Sequence, residues 1–442
     1  MKKIFFSSAT VFLIAFVLSG VYAQEALYTS VLLKGGHVID PANNISKIMD
    51  VLVRDGKIAS VDSNISESNA EKVVDVSGYY VTPGLIDIHA HVFHTSLPLL
   101  NQRFSVIADD ICFPSGVTTV VDVGTSGAKD FVNFKKLIDI SKTRILVMLN
   151  IAASGMYVGE DYPLDFDVKL SVETARQYPD IIVGFKTAHY LGKPYGLLMP
   201  FNKFQTPWAS VDSVLAAGRL AGLPCMFDVW PRPAEGGFPA RSLRELILEK
   251  MRPGDILTHC FHNMNLAINA DGKVNPDVIK AQKRGVIFDV GHGGGSFVWK
   301  NAVPAFRQGF YPNAISTDLH AGNTSGPAIN MIHVMSKFLC IGMSLEDVIR
   351  LSTSAPAQII NRTELGNLSV GSTADIAVIE MLNGNFGYTD VKKARLKGDK
   401  KLQCVMTLFG GSIVFNPSGL SYPDWEDIPR DDEYWARPAQ DW

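Results

Sequence analysis

Short, continuously apolar runs recur along the chain from Leu85 onward, separated by segments with helical spacing of apolar residues or by Gly- and Pro-containing loops. Each run is continuous in Val, Ile, Leu, Met or Phe, which is typical of parallel strands buried on both faces. Strands that alternate with helices indicate a parallel sheet, and eight such repeats predict an α/β fold of the (β/α)8 TIM-barrel type. The eight predicted strands are 85–91, 117–123, 144–151, 181–186, 224–229, 255–260, 286–291 and 314–319.

The segments on either side of the predicted barrel carry β-hairpin signals. Asp55-Gly56 lies between strand-like runs near the N-terminus, and Gly410-Gly411 lies between such runs near the C-terminus. Each flank alone is too short to bury a core of its own, so we expect both to pair in one small β-sandwich. The predicted organisation is residues 24–81 plus 362–421 as this composite β-sandwich, residues 82–361 as the barrel, and residues 422–442 as a C-terminal tail.

The first 23 residues have the layout of a secretory signal peptide. Lys2 and Lys3 form a basic start, residues 4–18 are apolar, and Val21 and Ala23 suit a cleavage site. The alternative is a membrane anchor, but the apolar stretch is shorter than the roughly 20 residues that a span needs. We therefore expect an exported protein, periplasmic or secreted, without stable membrane insertion.

The composition of the chain excludes several classes of protein. Hydrophobic residues make up 47% of the 442 residues and charged residues 19%, which excludes a disordered chain. Lysine plus arginine is 41 against 44 acidic residues, so no basic surface for nucleic acid is expected. Five scattered cysteines exclude a disulfide framework and a zinc ribbon. These features favour a globular protein with a sizeable core; the sequence is also compatible with a homo-oligomer.

Polar side chains that suit metal binding follow four of the predicted strands. His89 and His91 point to the same side of the first strand because side chains alternate with a period of two. Lys186 ends the fourth strand, and its amine could take up carbon dioxide as a carbamate that bridges two cations. His259 ends the sixth strand and Asp318 the eighth. Each residue alone suits a blander role, such as a buried histidine or a helix cap, but the combination indicates a metal centre where barrel active sites lie.

These ordered motifs resemble the amidohydrolase superfamily, and most closely its amidohydrolase/deacetylase (dihydroorotase-like) branch. The resemblance spans about residues 32–415. It is carried by Thr82-Pro83-Gly84-Leu85-Ile86-Asp87-Ile88-His89-Ala90-His91, Gly116-Val117-Thr118-Thr119-Val120-Val121-Asp122, Gly184-Phe185-Lys186, Gly254-Asp255-Ile256-Leu257-Thr258-His259, Phe288-Asp289-Val290-Gly291-His292-Gly293 and Ser316-Thr317-Asp318.

The resemblance implies a binuclear centre of two divalent metal ions, usually zinc. Carried over by position, His89, His91, carbamylated Lys186 and Asp318 hold the inner ion. Lys186 and His259 hold the outer ion.

One position departs from the family pattern. The family usually has a histidine at the end of strand five, whereas this chain has Asp228. A carboxylate oxygen binds zinc at about the same distance as an imidazole nitrogen. Three interpretations remain open: direct ligation of the outer ion by Asp228, which we favour, ligation through water, or a weak outer site. His262 is a possible substitute ligand.

The resemblance also implies a mechanism, in which a metal-bridging hydroxide attacks an acyl carbonyl and Asp318 carries the proton to the leaving group. His292, in a glycine-rich loop, either assists or contacts the substrate, or it is a buried histidine of a tight loop. His189, Asn150 and Arg241 are candidate substrate contacts, although Arg241 would equally suit an exposed helix.

Deacetylase-type cleavage of an amide or ester bond in a small acyl compound is the predicted function. The alternatives are a cyclic amidohydrolase of the dihydroorotase or hydantoinase kind and a non-catalytic binding protein with the same fold. A true dihydroorotase is disfavoured because Phe93 stands where those enzymes have a carboxylate-binding arginine.

Overall fold

The computed structural model describes residues 28–94, 104–156, 159–191, 206–234, 239–264 and 266–428. The predicted signal peptide and the end of the predicted tail, from residue 429, lie outside these ranges. Within them, no helix is both long enough and apolar enough to cross a bilayer.

The strands of the described chain are β1 (Ser30–Asp40), β2 (Ile45–Arg54), β3 (Lys57–Asp62), β4 (Lys72–Asp75), β5 (Tyr80–Pro83), β6 (Leu85–Ala90), β7 (Val117–Gly127), β8 (Arg144–Asn150), β9 (Ile182–Ala188), β10 (Cys225–Asp228), β11 (Ile256–Leu257), β12 (Ile287–Phe288), β13 (Ile376–Thr389), β14 (Arg395–Phe409) and β15 (Ser412–Phe415). The α-helices are α1 (Ala108–Ile111), α2 (Phe131–Ile140), α3 (Val168–Gln177), α4 (Ala209–Ala221), α5 (Pro276–Lys283), α6 (Trp299–Arg307), α7 (Met331–Cys340), α8 (Leu345–Arg350) and α9 (Ser354–Ile359), and Glu245–Lys250 forms a π-helical turn.

Strands β6 to β12 form a parallel sheet in chain order, with helices between most successive strands. Residues 314–319 bridge both edges of this sheet, since Leu319 pairs with Ala90 and Ala314 pairs with Asp289. The sheet is therefore strongly curled. The segment predicted as the eighth strand makes single bridges and no regular ladder, because Asp318 adopts a left-handed backbone conformation with φ of +47°.

The two faces of the curled sheet carry different apolar layers. One buried cluster takes alternate residues of the strands, including Ile86, Ile88, Val121, Val123, Leu146, Met148, Met226 and Ile256. A larger cluster takes the residues between them and joins them to helix side chains such as Phe134. Two residues beyond the first cluster, the alternation reaches polar side chains at the C-terminal strand ends, which are Thr125, Asn150, Asp228 and Thr258. The first apolar cluster therefore lies next to a layer of polar side chains at the C-terminal ends of the strands.

A second sheet joins the two ends of the chain. Its order is β15-β14-β13-β5-β1-β2-β3, and β4 pairs with β1. The join is antiparallel pairing of β5 with β13, in which Thr82 lies opposite Ala377. Its buried side chains include Val31, Val51 and Val405. Both flanks with hairpin signals therefore contribute strands to one sheet, while the domain boundaries drawn from the sequence remain a prediction.

Helix α2 offers a direct test of the packing outside the curled sheet. Phe134 is fully buried and its ring stacks on Phe93 with centroids 4.5 Å apart, whereas Val132 on the same helix is 58% exposed. We expect Phe134→Ala to destabilise the protein by about 3–5 kcal/mol, since it leaves a cavity in a packed core. Val132→Ala should change stability by less than about 0.5 kcal/mol. Calorimetric unfolding of both variants measures the difference, and similar transitions would contradict this packing.

Candidate active site

Two histidines and one aspartate converge at the C-terminal end of β6. His89 Nε2 lies 3.3 Å and His91 Nε2 lies 3.1 Å from the same oxygen, Asp318 Oδ1. One ligand atom from each of the three lies within 4.8 Å of the others, and both histidines are buried. Two imidazole nitrogens and a carboxylate oxygen are a donor set that suits zinc and similar divalent ions. The structure therefore brings together three of the residues that the sequence predicts as ligands of the inner ion.

The second ring nitrogen of each histidine, Nδ1, has a hydrogen-bond partner of its own. His91 Nδ1 is 2.8 Å from Thr125 Oγ1, and His89 Nδ1 is 2.9 Å from Thr258 Oγ1. Thr258 in turn donates to Asp289 Oδ2 at 2.7 Å, and the same carboxylate oxygen is 3.4 Å from His89 Nδ1. Partners of this kind fix the ring orientation of metal-binding histidines. The two Nε2 atoms are thereby directed at Asp318.

Thr125, Thr258 and Asp289 were not among the site residues predicted from the sequence. Two of them could have been predicted from the alternation of side chains, because Thr125 and Thr258 each lie two residues after a buried apolar residue on the same strand. Asp289 follows β12 directly, within one of the quoted motifs.

Lys186 lies near the end of β9 and is 2% exposed. Its Nζ is 3.1 Å from His89 Nε2, so the amine reaches the same cluster from the opposite strand. Burying an ammonium among imidazoles is unfavourable unless anions surround it or its charge is changed by modification. The amine thus lies where the sequence predicts a ligand, and Asp228 is among its charged neighbours.

Asp228, His259 and His189 form a second group in the same cavity. Asp228 Oδ2 lies 3.4 Å from His259 Nε2 and 3.6 Å from His189 Nε2. His259 Nδ1 donates to the carbonyl of Gly291 at 2.6 Å. The other carboxylate oxygen, Asp228 Oδ1, is buried and has no hydrogen-bond partner among the described residues. A buried orphan oxygen of this kind fits the binding of a cation.

The electrostatics of the two groups follow from burial and charge. Burial opposes ionisation of Asp318, but His89, His91 and His259 hold the pKa of that carboxyl well below its usual range. Likewise, the pKa of Asp228 is lowered despite burial by His259 and His189. Burial and Lys186 lower the pKa of His89 to about 4. Both aspartates are therefore anionic and His89 is neutral at neutral pH. Despite burial, Glu160 and Asp228 raise the pKa of His189 to about 9, and Asp228 raises that of His259, so metal binding would release a proton from each of these two imidazoles.

One cavity connects these groups. It is lined by side chains of both, namely His91, Lys186, His189, Asp228, His259 and Asp318. Trp230 and His262 form part of its wall, with rings stacked at 5.4 Å and an interplanar angle of 19°. His262, the possible substitute ligand, uses its Nδ1 to accept a hydrogen bond from the backbone N–H of Met264.

Besides His89, which is buried within the first group, three predicted residues do not line this cavity. His292 is fully buried: Nδ1 donates to the Gly293 carbonyl, Nε2 is 2.7 Å from Lys337 Nζ, and the ring stacks on Phe297. His292 is therefore a buried histidine in a tight loop, which is one of the two interpretations that the sequence left open. The other interpretation, a contact with the substrate, does not agree with this position.

Arg241 and Asn150 are likewise bound elsewhere. Arg241 is 3% exposed, and its guanidinium donates to the backbone carbonyls of Trp230 and Pro207, so it holds loops together and faces no substrate. Asn150 donates to the Gly124 carbonyl and to Glu160 Oε1 at 2.8 Å. Its link to the cavity is indirect, through Glu160 to His189.

Replacing Thr125 tests how the cluster is held. Thr125→Val removes the hydroxyl that orients His91, and we expect the affinity for divalent metal to fall about 10–100-fold. Thr125→Ser keeps a hydroxyl and should bind metal almost as the unmodified protein does. Competition with a chromophoric chelator measures both affinities. Equal affinity of the valine variant and the unmodified protein would contradict the role given to Thr125.

Comparison with known proteins agrees with this geometry. Residues 339–415 match the model of the amidohydrolase family. The chain is 30% identical to a deacetylase of Brucella anthropi over 351 residues, which are 77% of this chain and 81% of that protein. It is 29% identical to a deacetylase of Agrobacterium fabrum over 84% of this chain and 88% of that protein.

A solved structure of an adenine deaminase has the same fold. Its TM-score is 0.75 at 26% sequence identity, and the similarity covers 87% of this chain and 99% of that chain. The chain therefore belongs to the amidohydrolase superfamily and is a hydrolase of the amidohydrolase type.

Proposed function

We propose that the protein is a metal-dependent deacetylase that cleaves an amide or ester bond of a small acyl compound. The observation that carries the proposal is the convergence of His91, Lys186, His259 and Asp318 on one cavity, with His89 buried beside them at 3.3 Å from Asp318, in a chain that matches two deacetylases over most of their length.

The proposed centre holds two divalent ions, with zinc as the expected metal. His89, His91, Asp318 and Lys186 would hold the inner ion, and Lys186, as a carbamate, would be shared with an outer ion at Asp228 and His259. When bound, such ions lower the pKa of water to about 7 and polarise a carbonyl oxygen. The donor chemistry and the orphaned oxygen of Asp228 support this assignment.

Asp318 is the residue proposed to move the proton. Its carboxylate is ionised, since the surrounding histidines hold its pKa low, so its oxygens can accept a hydrogen bond from the attacking water. Its second oxygen, Oδ2, faces Gly293, where a Cβ atom would come within 2.5 Å of it. A side chain at Gly293 would therefore crowd the carboxylate. The proton would pass from Asp318 to the leaving amine or alkoxide.

The cavity suits a small acyl compound better than a cyclic acid. Among the described lining residues Lys186 is the only lysine or arginine, and it contacts His89. Phe93, at the position where dihydroorotases use an arginine, is fully buried against Phe134. Neither residue offers a guanidinium for a ring carboxylate. These contacts support deacetylation over dihydroorotase activity.

Two further proposals concern the fold and the location. The bridges from residues 314–319 to both sheet edges support a closed (β/α)8 barrel, and the sheet shared by both flanks supports a composite β-sandwich beside it. The basic start and short apolar stretch of residues 1–23 support export through a signal peptide. A small-molecule substrate is the partner proposed.

Metal content and activity test the function together. We expect about two equivalents of zinc or a similar ion per chain in the purified protein, and hydrolysis of some N-acetyl or O-acetyl compounds in a screen that also contains lactones, hydantoins and dihydropyrimidines. The measurements are elemental analysis and acetate release. Less than one equivalent, with no hydrolysis after metal is added, would favour the non-catalytic alternative.

Lys186 can be tested by chemical rescue. Lys186→Ala should lose activity, and short carboxylates such as acetate or propionate should restore part of it by replacing the carbamate. Lys280→Ala is the control, because Lys280 lies on the surface and pairs with Asp277. Full activity of Lys186→Ala without added carboxylate would remove Lys186 from the site.

A further inference from the structure

His189 shares an unusual backbone conformation with two predicted metal ligands. It follows β9 directly and has φ of +55°, while His259 has φ of +60° and Asp318 has φ of +47°. Residues other than glycine seldom adopt this left-handed region, and such conformations cluster at functional sites. Eight non-glycine residues of the described chain have positive φ, and these three line the cavity. His189 thus has the same backbone conformation as two of the predicted metal ligands.

The side chain of His189 is oriented by a buried carboxylate. Its Nδ1 is 2.9 Å from Oε2 of Glu160, whose side chain is 4% exposed. Asn150 fixes the other oxygen of Glu160 at 2.8 Å. Because a carboxylate accepts, Nδ1 carries the proton and Nε2 is the nitrogen that points to Asp228. A histidine whose second nitrogen donates to a carboxylate is the usual arrangement at protein metal sites.

The backbone register explains how His189 reaches Asp228. Strands β9 and β10 pair with Ala188 opposite Asp228, and the backbone N–H of His189 donates to the Asp228 carbonyl at 3.1 Å. The imidazole therefore starts one residue beyond the partner of Asp228. Its Nε2 lies 3.6 Å from Asp228 Oδ2, and His259 Nε2 lies 3.4 Å from the same oxygen.

The outer ion would need a further ligand because the side chain at the end of β10 is an aspartate, which is shorter than a histidine. Asp228 is the only donor that β10 contributes here, and its Oδ1 is buried without a hydrogen-bond partner among the described residues. An aspartate reaches less far than a histidine, and a zinc site completed by protein has four donors. An imidazole from the neighbouring strand would restore the nitrogen donor that the substitution removes.

We infer that His189, and not His262, is the second imidazole ligand of the outer metal ion, with Glu160 as its positioning residue. The inference rests on the two-metal centre of the proposed function. It changes the role predicted for His189 from a substrate contact to a ligand. His262 is the matched alternative, since it lines the same cavity but its ring stacks on Trp230 and its Nδ1 accepts from Met264.

The test is a Co²⁺ titration of the full-length protein after its own metal has been removed by a chelator. We expect the unmodified protein to bind two equivalents, followed in the visible absorption of cobalt. In His189→Ala the first equivalent should bind as before and the second should weaken by more than about 100-fold, beyond the 10–100-fold typical of positioning residues. His262→Ala should bind both equivalents as the unmodified protein does.

Imidazole added to the solution separates ligation from packing. It should restore the second equivalent in His189→Ala, because it can occupy the space of the missing side chain and supply the nitrogen. A loss that imidazole does not restore would overturn the ligand role. Two tight equivalents in His189→Ala, or loss of the second in His262→Ala alone, would also overturn it.

Glu160→Gln provides a second route if His189→Ala does not fold. We expect a 10–100-fold weaker second equivalent in this variant, and an unchanged one would overturn the inference. The outcomes also separate this inference from the proposed function. Fewer than two equivalents in the unmodified protein would overturn the two-metal centre and the inference with it, whereas two equivalents in both the unmodified protein and His189→Ala would overturn the role of His189 alone.

Discussion

The active site depends on keeping ionisable side chains buried at the ends of the curled sheet. Transferring a charge into a protein interior is strongly unfavourable unless opposite charges and hydrogen bonds compensate it. Here Asp318 lies between His89 and His91, and Asp228 lies between His259 and His189. Each carboxylate is thus stabilised by the imidazoles on either side. A cation bound between them would take over that stabilisation, so the same residues suit the binding of a metal ion.

The fold brings these side chains together because the side chains along several strands change from apolar to polar at the same height in the curled sheet. The interior cluster around Val123, Met148 and Met226 fills the lower part of the curled sheet, and two residues further along the same strands are Thr125, Asn150 and Asp228. The polar layer above this cluster carries the ligands and the groups that orient them.

Much of this could be predicted from the sequence, for a physical reason. Side chains at the ends of parallel strands must lie at one end of the sheet, so His89, His91, Lys186, His259 and Asp318 could be grouped without coordinates. The direction of a side chain on a loop has no such constraint. For His292 the sequence therefore left open a contact with substrate or a buried position in a tight loop. The structure buries it against Lys337, which also donates to two backbone carbonyls.

The same limit applies to residues far from the strand ends. Glu160 lies in a loop after β8, and no spacing in the sequence relates it to His189. Arg241 was a candidate carboxylate binder because of its charge, but its guanidinium is used by backbone carbonyls. Residues 314–319, predicted as the eighth strand, make two single bridges and form no strand ladder.

Diffraction from crystals of the zinc-loaded protein, recorded on both sides of the zinc absorption edge, would locate the metal ions. We expect two anomalous peaks in the cavity, one in contact with His89, His91 and Asp318 and the other in contact with His189, Asp228 and His259. No peak in the cavity, or a single peak that leaves Asp228 without a metal contact, would contradict this expectation.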